Sequence, residues 1–273
     1  ALSRADHYGF AARKADSAAR GKLRGFGFGM YLEQCGGGTD GGVDVRFRED
    51  GTILVLAAQQ DNGQGHRTTL TQILSDRLGY DADKIEILQG DSAITPPGTT
   101  GGARMTTILG SAVAEVAAKT IATGMPYAAE ALDCEADEVI FADGLFSAPG
   151  TNRSITIEDL ALRLVPDEGW HPFDIKHQCT TDGATYPYGC HVVELEVDPG
   201  TCKVDLLRYT VVDDFGSVIN PLTLAGQIHG GIAQGIGQAI HEYAAFDAQG
   251  QLVAGALMDY ALPRAADLPA FDI

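Results

Sequence analysis

Four tight-turn sequences, each lying between two short apolar runs, most strongly constrain the fold of this chain. They are Glu49-Asp50-Gly51, Asp143-Gly144, Pro199-Gly200 and Gln249-Gly250. Short runs joined by glycine-containing turns are typical of β-hairpins, whose strands are antiparallel. Single helical segments separate the predicted hairpins, so the sequence predicts an α+β fold of two-layer α/β modules with hairpin-containing sheets. A doubly wound Rossmann fold is disfavoured, because its sheet is mostly parallel.

The helices are predicted from apolar spacing and from the residues at their ends. They cover residues 3–22, 68–78, 106–131 and 222–243, with a short helix opened by Thr156. The sequence leaves undecided whether the third helix is interrupted at Gly124-Met125-Pro126. Residues 36–42 are interpreted as a flexible connection and residues 166–184 as irregular. We divide the chain into a first α+β module, residues 1–132, and a second, residues 133–273.

Glycine is concentrated in loops ahead of predicted helices. The chain has 34 glycines, more than the usual share of about 7% would supply. Three of these loops are Asp61–His66, Pro97–Arg104 and Gly226–Gly231, the last of which opens the helix predicted over residues 222–243. The start of a helix exposes backbone N–H groups that bind anions and polar heterocycles. We therefore expect a large, phosphate-bearing cofactor held mostly by backbone.

Each candidate residue has a plain structural alternative. Gln64 is either a turn residue between two glycines or an amide directed at a ligand, and Gln227 is either a solvated helix residue or part of a close backbone approach. Arg104 pairs with Asp91 or with a phosphate. His66, His191 and His229 lack the spacing of metal ligands and are interpreted as structural. The residues alone indicate neither a nucleophile nor a general base.

The charge and the cysteines exclude several functional classes. The chain has 19 basic and 37 acidic residues, a formal net charge of −18, so nucleic acid is not expected as a partner. The acidity also suits solubility or a saline habitat. Five cysteines without a Cys-x-x-Cys pair argue against a disulfide framework or a zinc site and favour a reducing, cytoplasmic location. Neither a signal peptide nor an apolar run of about 18 residues is apparent.

These motifs, in this order, resemble the molybdenum-binding large subunit of the xanthine dehydrogenase/aldehyde oxidase/aerobic carbon monoxide dehydrogenase family. Further stretches carry the resemblance, which covers nearly the whole chain: Gly21–Gly25, Gly90–Ser92, Gly110–Val113, Tyr186–His191, Val212–Pro221 and Met258–Arg264. The chain resembles the second molybdopterin-binding domain of such a subunit, as a fragment. Both predicted modules then belong to one molybdopterin-binding region.

The resemblance implies a molybdenum–molybdopterin cofactor, in its cytosine dinucleotide form. Gln64 and Gln227 would hydrogen-bond the pterin or its phosphates, and the backbone amide of Gly102 would face the molybdenum. The implied cofactor-binding residues are Gln64, Gly65, His66, Thr99, Thr100, Gly101, Gly102, Ala103, Arg104 and Gln227. The resemblance assigns no metal ligand and no catalytic residue to this chain.

The family oxidises an aldehyde, an N-heterocycle or carbon monoxide with water as the oxygen source. Its electrons leave through iron–sulfur clusters and FAD on partner subunits or domains. Expected partners are therefore those subunits, together with the first molybdopterin-binding domain and the C-terminal segment of the same large subunit, and neither nucleic acid nor a membrane span is expected.

This sequence departs from the family pattern in two places. Ala103 and Met105 stand where the family commonly has serines. The family's catalytic glutamate belongs to a Gly-Glu motif downstream of the Ala-Leu-Pro-Arg stretch, and the sequence ends at Ile273 before such a motif. We expect the chain by itself to be inactive and to be isolated without molybdenum. The alternative is a non-catalytic binding or assembly module that retains the family fold.

Overall fold

A computed structural model describes residues 1–37, 40–181 and 183–273 of the chain. Its α-helices are α1 (Phe10–Ala19), α2 (His66–Leu78), α3 (Met105–Leu132), α4 (Ile157–Arg163) and α5 (Pro221–Ile236). Its strands are β1 (Leu23–Leu32), β2 (Cys35–Gly36), β3 (Asp40–Phe47), β4 (Ile53–Ala57), β5 (Ile85–Gln89), β6 (Ile140–Ala142), β7 (Leu145–Ser147), β8 (Ser154–Thr156), β9 (Ile175–Thr180), β10 (Ala184–Thr185), β11 (Tyr188–Val197), β12 (Val204–Asp214) and β13 (Phe271–Asp272). A π-helical turn, Gly237–His241, follows α5 directly.

The chain forms two compact units, and the second is inserted into the sequence of the first. The first unit consists of residues 1–33 and 186–273, and the second consists of residues 34–185. This division differs from the predicted one at residue 132. That position is the last residue of α3, which packs against β3 as well as β7, so segments on both sides of residue 132 share one core.

The first unit is a four-stranded sheet with a helix on each face. The strand order is β1-β11-β12-β13; β13 is parallel to β12, and the other neighbours are antiparallel. Helix α5 covers one face, where Ile232 and Ile236 pack on Val211 of β12. Arg208 contacts Glu194 on the opposite face, three positions before Val211 in the alternating strand. That face is covered by α1.

Helix α1 is held to its sheet by ion pairs. The side chain of Glu194 is 2% exposed and pairs with Arg13 of α1 and, at 2.8 Å, with Arg24 of β1. Two positions along β11, Glu196 pairs at 2.6 Å with Arg20, the residue that caps the end of α1. The hydrogen bonds from Arg20 lower the pKa of Glu196 to about 2. The docking of α1 therefore depends on ionised carboxylates.

The second unit contains the main apolar core. Its four-stranded sheet has the order β5-β4-β3-β9, with β4 and β5 parallel and the other neighbours antiparallel. Helices α2 and α3 pack together over this sheet, and their buried residues Leu70, Leu74 and Val113 join Val55 of β4 in one cluster. A small antiparallel sheet, β6-β7-β8, packs against α3.

The α+β fold class and three of the four predicted hairpins are confirmed. The hairpins are β3–β4, β6–β7 and β11–β12. The predicted hairpin around Gln249-Gly250 contains only an isolated bridge between Phe246 and Leu252. Residues 166–184, interpreted as irregular, contain β9, which completes the sheet beside β3. The parallel pairing of β4 and β5 was not predicted either.

The long helix and the glycine-rich connection also differ from expectation. Helix α3 continues through Pro126, and Gly124 leaves room for the ring of Phe146, which a Cβ would approach at 2.6 Å. In the connection predicted over residues 36–42, Gly41 and Gly42 belong to β3. A Cβ on Gly41 would collide with Ile108 of α3, which explains the glycine. Gly38 and Thr39 lie outside the described residues.

By length and composition alone, α3 would be suited to cross a membrane. Its most apolar 18-residue window has a mean hydropathy of 1.2, and half of that window is buried inside the protein. A helix that packs on a sheet in a protein core can have the same length and apolar composition. Its position in the core of the second unit accounts for its apolar character.

Candidate functional site

Two of the predicted cofactor loops lie at the same end of one sheet. Strands β4 and β5 are parallel, with Ala57 opposite Gln89, and the carboxyl ends of parallel strands meet at one edge. The loop containing Gln64 follows β4, and the loop of residues 90–104 follows β5. The hydroxyl of Thr100 donates a 2.6 Å hydrogen bond to the carbonyl of Gln60, which joins the two loops.

The Gln64 loop is organised by the carboxylate of Asp61. Its Oδ1 accepts the backbone N–H groups of Gly63 at 2.7 Å and Gln64 at 2.9 Å, and its Oδ2 accepts that of His66 at 3.0 Å. Burial raises the pKa of Asp61, but these backbone hydrogen bonds outweigh it and the pKa lies below its ordinary value. The prediction of free N–H groups at the start of α2 is therefore wrong for His66, because Asp61 already binds its amide.

The side chains of Gln64 and His66 occupy different environments. Gln64 is half-buried, and its Oε1 accepts a hydrogen bond from the backbone N–H of Asn62. His66 is 3% exposed, with Nδ1 3.5 Å from Nε2 of Gln89. Burial lowers the pKa of His66, which favours the neutral ring. This agrees with a structural histidine, and Gln64 presents the more accessible polar group.

The loop after β5 ends with glycines whose backbone has free space beside it and with the cation Arg104. A Cβ on Gly101 or Gly102 would meet no atom within 4 Å, and Gly102 and Ala103 both have left-handed backbones, with φ of 64° and 49°. Helix α3 begins at Met105 without a side-chain cap. A Cβ on Gly98 would lie 2.7 Å from the carbonyl oxygen of Ala58, so the loop packs closely on the end of β4.

Arg104 lies where this loop enters α3. Its Nε is buried and has no hydrogen-bond partner among the described residues. The ion pair with Asp91 that we considered as a structural role is not observed in the described part of the chain. A buried guanidinium N–H without an acceptor is costly. An anionic group bound beside the loop would supply the missing acceptor.

Gln227 belongs to the first unit, whereas Gln64 and residues 99–104 belong to the second. Helix α5 begins at Pro221, and the side chain of Asn220 caps it by accepting the N–H of Thr223 at 3.1 Å. Gln227 therefore lies inside the helix, and the prediction that its motif opens the helix is wrong. Its side chain is exposed.

The glycines of α5 form an open surface rather than a packed one. A Cβ would meet nothing within 4 Å at any of four positions: Gly226, Gly230, Gly231 and Gly235. The close approach that would explain these glycines is therefore not made within this unit's described residues. Exposed helical glycine costs about 1 kcal/mol relative to alanine, and no packing contact within the described residues of this unit offsets that cost.

The loops at the carboxyl edge of the second unit's sheet present groups that suit ligand binding. In the part of the chain that the structure describes, no three His, Cys, Asp or Glu side chains come together to hold a metal. The loops offer neutral amides, open glycine backbone, an uncapped helix start and one cation. These groups fit a ligand with polar heterocycles and phosphates. Asp61 sets the shape of the first loop, a role that the sequence motif did not indicate.

Comparison with known proteins agrees with this arrangement. Residues 1–269 match the family described as molybdopterin cofactor-binding domain. The chain is 31% identical to the carbon monoxide dehydrogenase large chain of Hydrogenophaga pseudoflava over 95% of its length. It is also 31% identical, over 93% of its length, to the gamma subunit of the 6-hydroxypseudooxynicotine dehydrogenase complex of Paenarthrobacter nicotinovorans. It spans 34% and 33% of these two relatives, respectively.

Solved structures share the fold over 99% of the chain. A Cu,Mo-CO dehydrogenase in its carbon monoxide reduced state superposes with a TM-score of 0.86 at 26% identity. Quinoline 2-oxidoreductase from Pseudomonas putida 86 superposes with a TM-score of 0.85 at 28% identity. The chain covers 37% of each of these structures. The similarity therefore concerns one part of much longer polypeptides.

Proposed function

Because the chain belongs to the molybdopterin cofactor-binding domain family, we propose that its loops at residues 61–66 and 97–104 hold a molybdenum–molybdopterin cofactor. When bound, that cofactor supplies the redox centre at which a substrate is oxidised. This chain contributes binding and orientation. Gln64 donates to a polar edge of the cofactor from one loop, and residues Thr99–Arg104 line it from the other.

The observation that carries this proposal is the orphaned donor of Arg104. Its buried Nε has no partner in the described residues, and it lies at the uncapped start of the 28-residue helix α3. A helix start carries a partial positive charge, and an arginine adds a full one, so together they favour a phosphate group. Gly101 and Gly102 let the ligand approach the backbone.

The remaining assignments come from the family. Gly65 and Ala103 contribute backbone, since Gly65 lacks a side chain and Ala103 has only a methyl group. His66 is buried and Asp61 accepts its N–H, so we propose that His66 supports the cofactor loop without donating to the cofactor. Gln227, beside the open glycines of α5, is the cofactor-binding residue that the family assigns to the first unit. Gly102 directs its amide to the molybdenum end. We propose that this cofactor is the cytosine dinucleotide form of molybdopterin.

The proposed parent protein is a molybdenum hydroxylase that oxidises an aldehyde, an N-heterocycle or carbon monoxide with water as oxygen source. The names of the relatives include dehydrogenases of carbon monoxide and of 6-hydroxypseudooxynicotine, which supports this range without selecting a substrate. The remaining polypeptide of the large subunit, iron–sulfur clusters and FAD on partner subunits complete the enzyme. The chain alone is inactive under this proposal, and its cytoplasmic location stays a prediction.

Substitution in the full-length protein tests the proposal. Gln64→Ala and Arg104→Gln are each expected to lower molybdenum and pterin content while the protein stays folded, because a buried polar group left unpaired costs about 1–3 kcal/mol. Arg153→Gln is the matched control, since Arg153 is a cation of the same unit that binds the carbonyl of Asp133. Full cofactor content in both loop variants would refute the proposed site.

A non-catalytic binding or assembly module is the second candidate. Ala103 and Met105 lack the hydroxyl groups that serines would offer to a cofactor, which favours this candidate. Elemental analysis of the full-length protein separates the two. Stoichiometric molybdenum supports the enzyme, and its absence after purification from a molybdenum-supplied host supports the assembly module.

A further inference from the structure

The carboxylate of Asp61 accepts hydrogen bonds from the backbone N–H groups that the Asp61–His66 loop was expected to offer to a ligand anion. Three N–H groups, those of Gly63, Gln64 and His66, point to its two carboxylate oxygens at 2.7–3.0 Å. Charge-assisted bonds of this kind are about twice as strong as neutral ones. A phosphate would have to displace the carboxylate and would also be repelled by its charge. Neither α2 nor α3 has a side-chain bond from its N-cap residue, but at α2 the Asp61 carboxylate accepts the first N–H of the helix, that of His66.

The same loop fixes the orientation of the Gln64 amide. The backbone N–H of Asn62 is a donor, so the Gln64 atom that it contacts must be the acceptor Oε1. No hydrogen bond of Gln64 Nε2 is found within the described ranges, and the side chain is half-exposed. Nε2 is then the group that remains for a ligand, and an amide nitrogen only donates.

We propose that Asp61 is a positioning residue, which closes the start of α2 to phosphate and holds Gln64 so that its Nε2 donates to an uncharged acceptor of the ligand. This inference rests on the proposed function, which puts the cofactor at this loop. It divides the cofactor between the loops: a heterocycle oxygen or ring nitrogen faces Gln64, and the anionic part faces Arg104 and the start of α3.

Hydrogen exchange of the isotope-labelled chain tests the positioning. Asp61→Asn keeps the shape of the side chain but replaces one acceptor oxygen by a donor group. The amide of His66, which loses its Oδ2 acceptor, is expected to exchange about 10- to 100-fold faster, the factor that corresponds to a lost charge-assisted bond. The amides of Gly63 and Gln64 keep a neutral Oδ1 acceptor, so their exchange should rise less. Asp91→Asn is the control, because it removes the same charge from the neighbouring loop, where Asp91 accepts the N–H of Ala93. Unchanged exchange of these three amides in Asp61→Asn would overturn the proposal.

Titration with inorganic phosphate tests the exclusion. In the native chain and in Asp91→Asn, the amide resonances of Gly63, Gln64 and His66 should not move. In Asp61→Ala these resonances and the side-chain NH₂ pair of Gln64 should shift, because three donors are released. A shift in the native chain, or none in Asp61→Ala, contradicts the assignment.

The cofactor role is decided separately in the full-length protein. Asp61→Asn should lower pterin content as Gln64→Ala does. If Gln64→Ala retains full cofactor while the exchange and phosphate results hold, the proposed function fails at this loop. In that case Asp61 still positions the loop and still keeps phosphate from the start of α2, although no cofactor binds there.

Discussion

Thr100 donates a hydrogen bond from its hydroxyl to the backbone carbonyl of Gln60, and this 2.6 Å contact fastens the loop after β5 to the loop after β4. Neither residue belongs to a helix or strand. The contact adds to the parallel pairing of β4 with β5 and to the close packing of Gly98 on Ala58. The relative position of Gln64 and Arg104 therefore depends in part on the Thr100 side chain.

Thr100→Val should loosen this pair of loops with a small effect on global stability. Valine keeps the size of threonine but leaves the Gln60 carbonyl without its donor, which costs about 0.5–1.5 kcal/mol. Thr100→Ser, which retains the hydroxyl, is the control. Thermal melting and hydrogen exchange of residues 60–66 measure the two effects. Equal exchange in both variants would show that the bond does not couple the loops.

Gly231→Ala should stabilise the chain by up to about 1 kcal/mol, since alanine is the better helix former and the added methyl meets open space. Thermal melting of the chain measures this change. In the full-length protein the same substitution should lower molybdenum content if a cofactor approaches α5. A raised melting temperature with full molybdenum content would remove the ligand-based reason for the glycines of α5.

Gly79→Ala should have the opposite effect. Gly79 ends α2 in a left-handed conformation, with φ of 61°, and a Cβ there would collide with the backbone of Gly144. The conformation alone costs an alanine about 1–2 kcal/mol, and the collision adds about 1–3 kcal/mol. Urea unfolding compares this variant with Gly231→Ala. A loss of less than 1 kcal/mol would contradict the close approach of these two backbones.

Acidic pH should weaken the docking of α1, whereas neutral pH should leave it intact. The pKa of Glu196 is about 2 in the folded chain, against an ordinary value of 4.5. A lowered folded pKa means that the carboxylate contributes stability above pH 4.5 and loses that contribution as the pH falls towards 2. The melting temperature should fall over this range, and Glu196→Gln should make the fall shallower. Glu168→Gln, at an exposed position, should leave it unchanged.

Local signals allowed much of the fold to be predicted. The hairpins around Asp50-Gly51 and Asp143-Gly144 were correct because turn and strands are adjacent in sequence. Strand β9 was missed because its partner β3 is more than a hundred residues away and its own sequence has no turn signal. The parallel pairing of β4 with β5 is likewise set by the packing of α2, which a local pattern does not contain.

The candidate site was predicted unevenly for similar reasons. The loops of Gln64 and Arg104 were found from glycine before a helix, and the structure brings them to one edge. The role of Asp61 was not found, because an aspartate in a loop is compatible with many turns. The helix predicted from residue 222 begins at Pro221, but the interpretation of the Gln227 motif as its opening was wrong, and Asn220-Pro221 carries the usual signal for a helix start.

The insertion of residues 34–185 between the two parts of the first unit has a consequence for biosynthesis. Strand β1 leaves the ribosome well before its neighbour β11, which begins only at Tyr188. At ordinary synthesis rates the delay is on the order of ten seconds, long enough for the inserted unit to fold by itself. Meanwhile the backbone N–H and C=O groups of β1 lack their partner strand, and an unpaired strand of this kind is prone to pair with other chains.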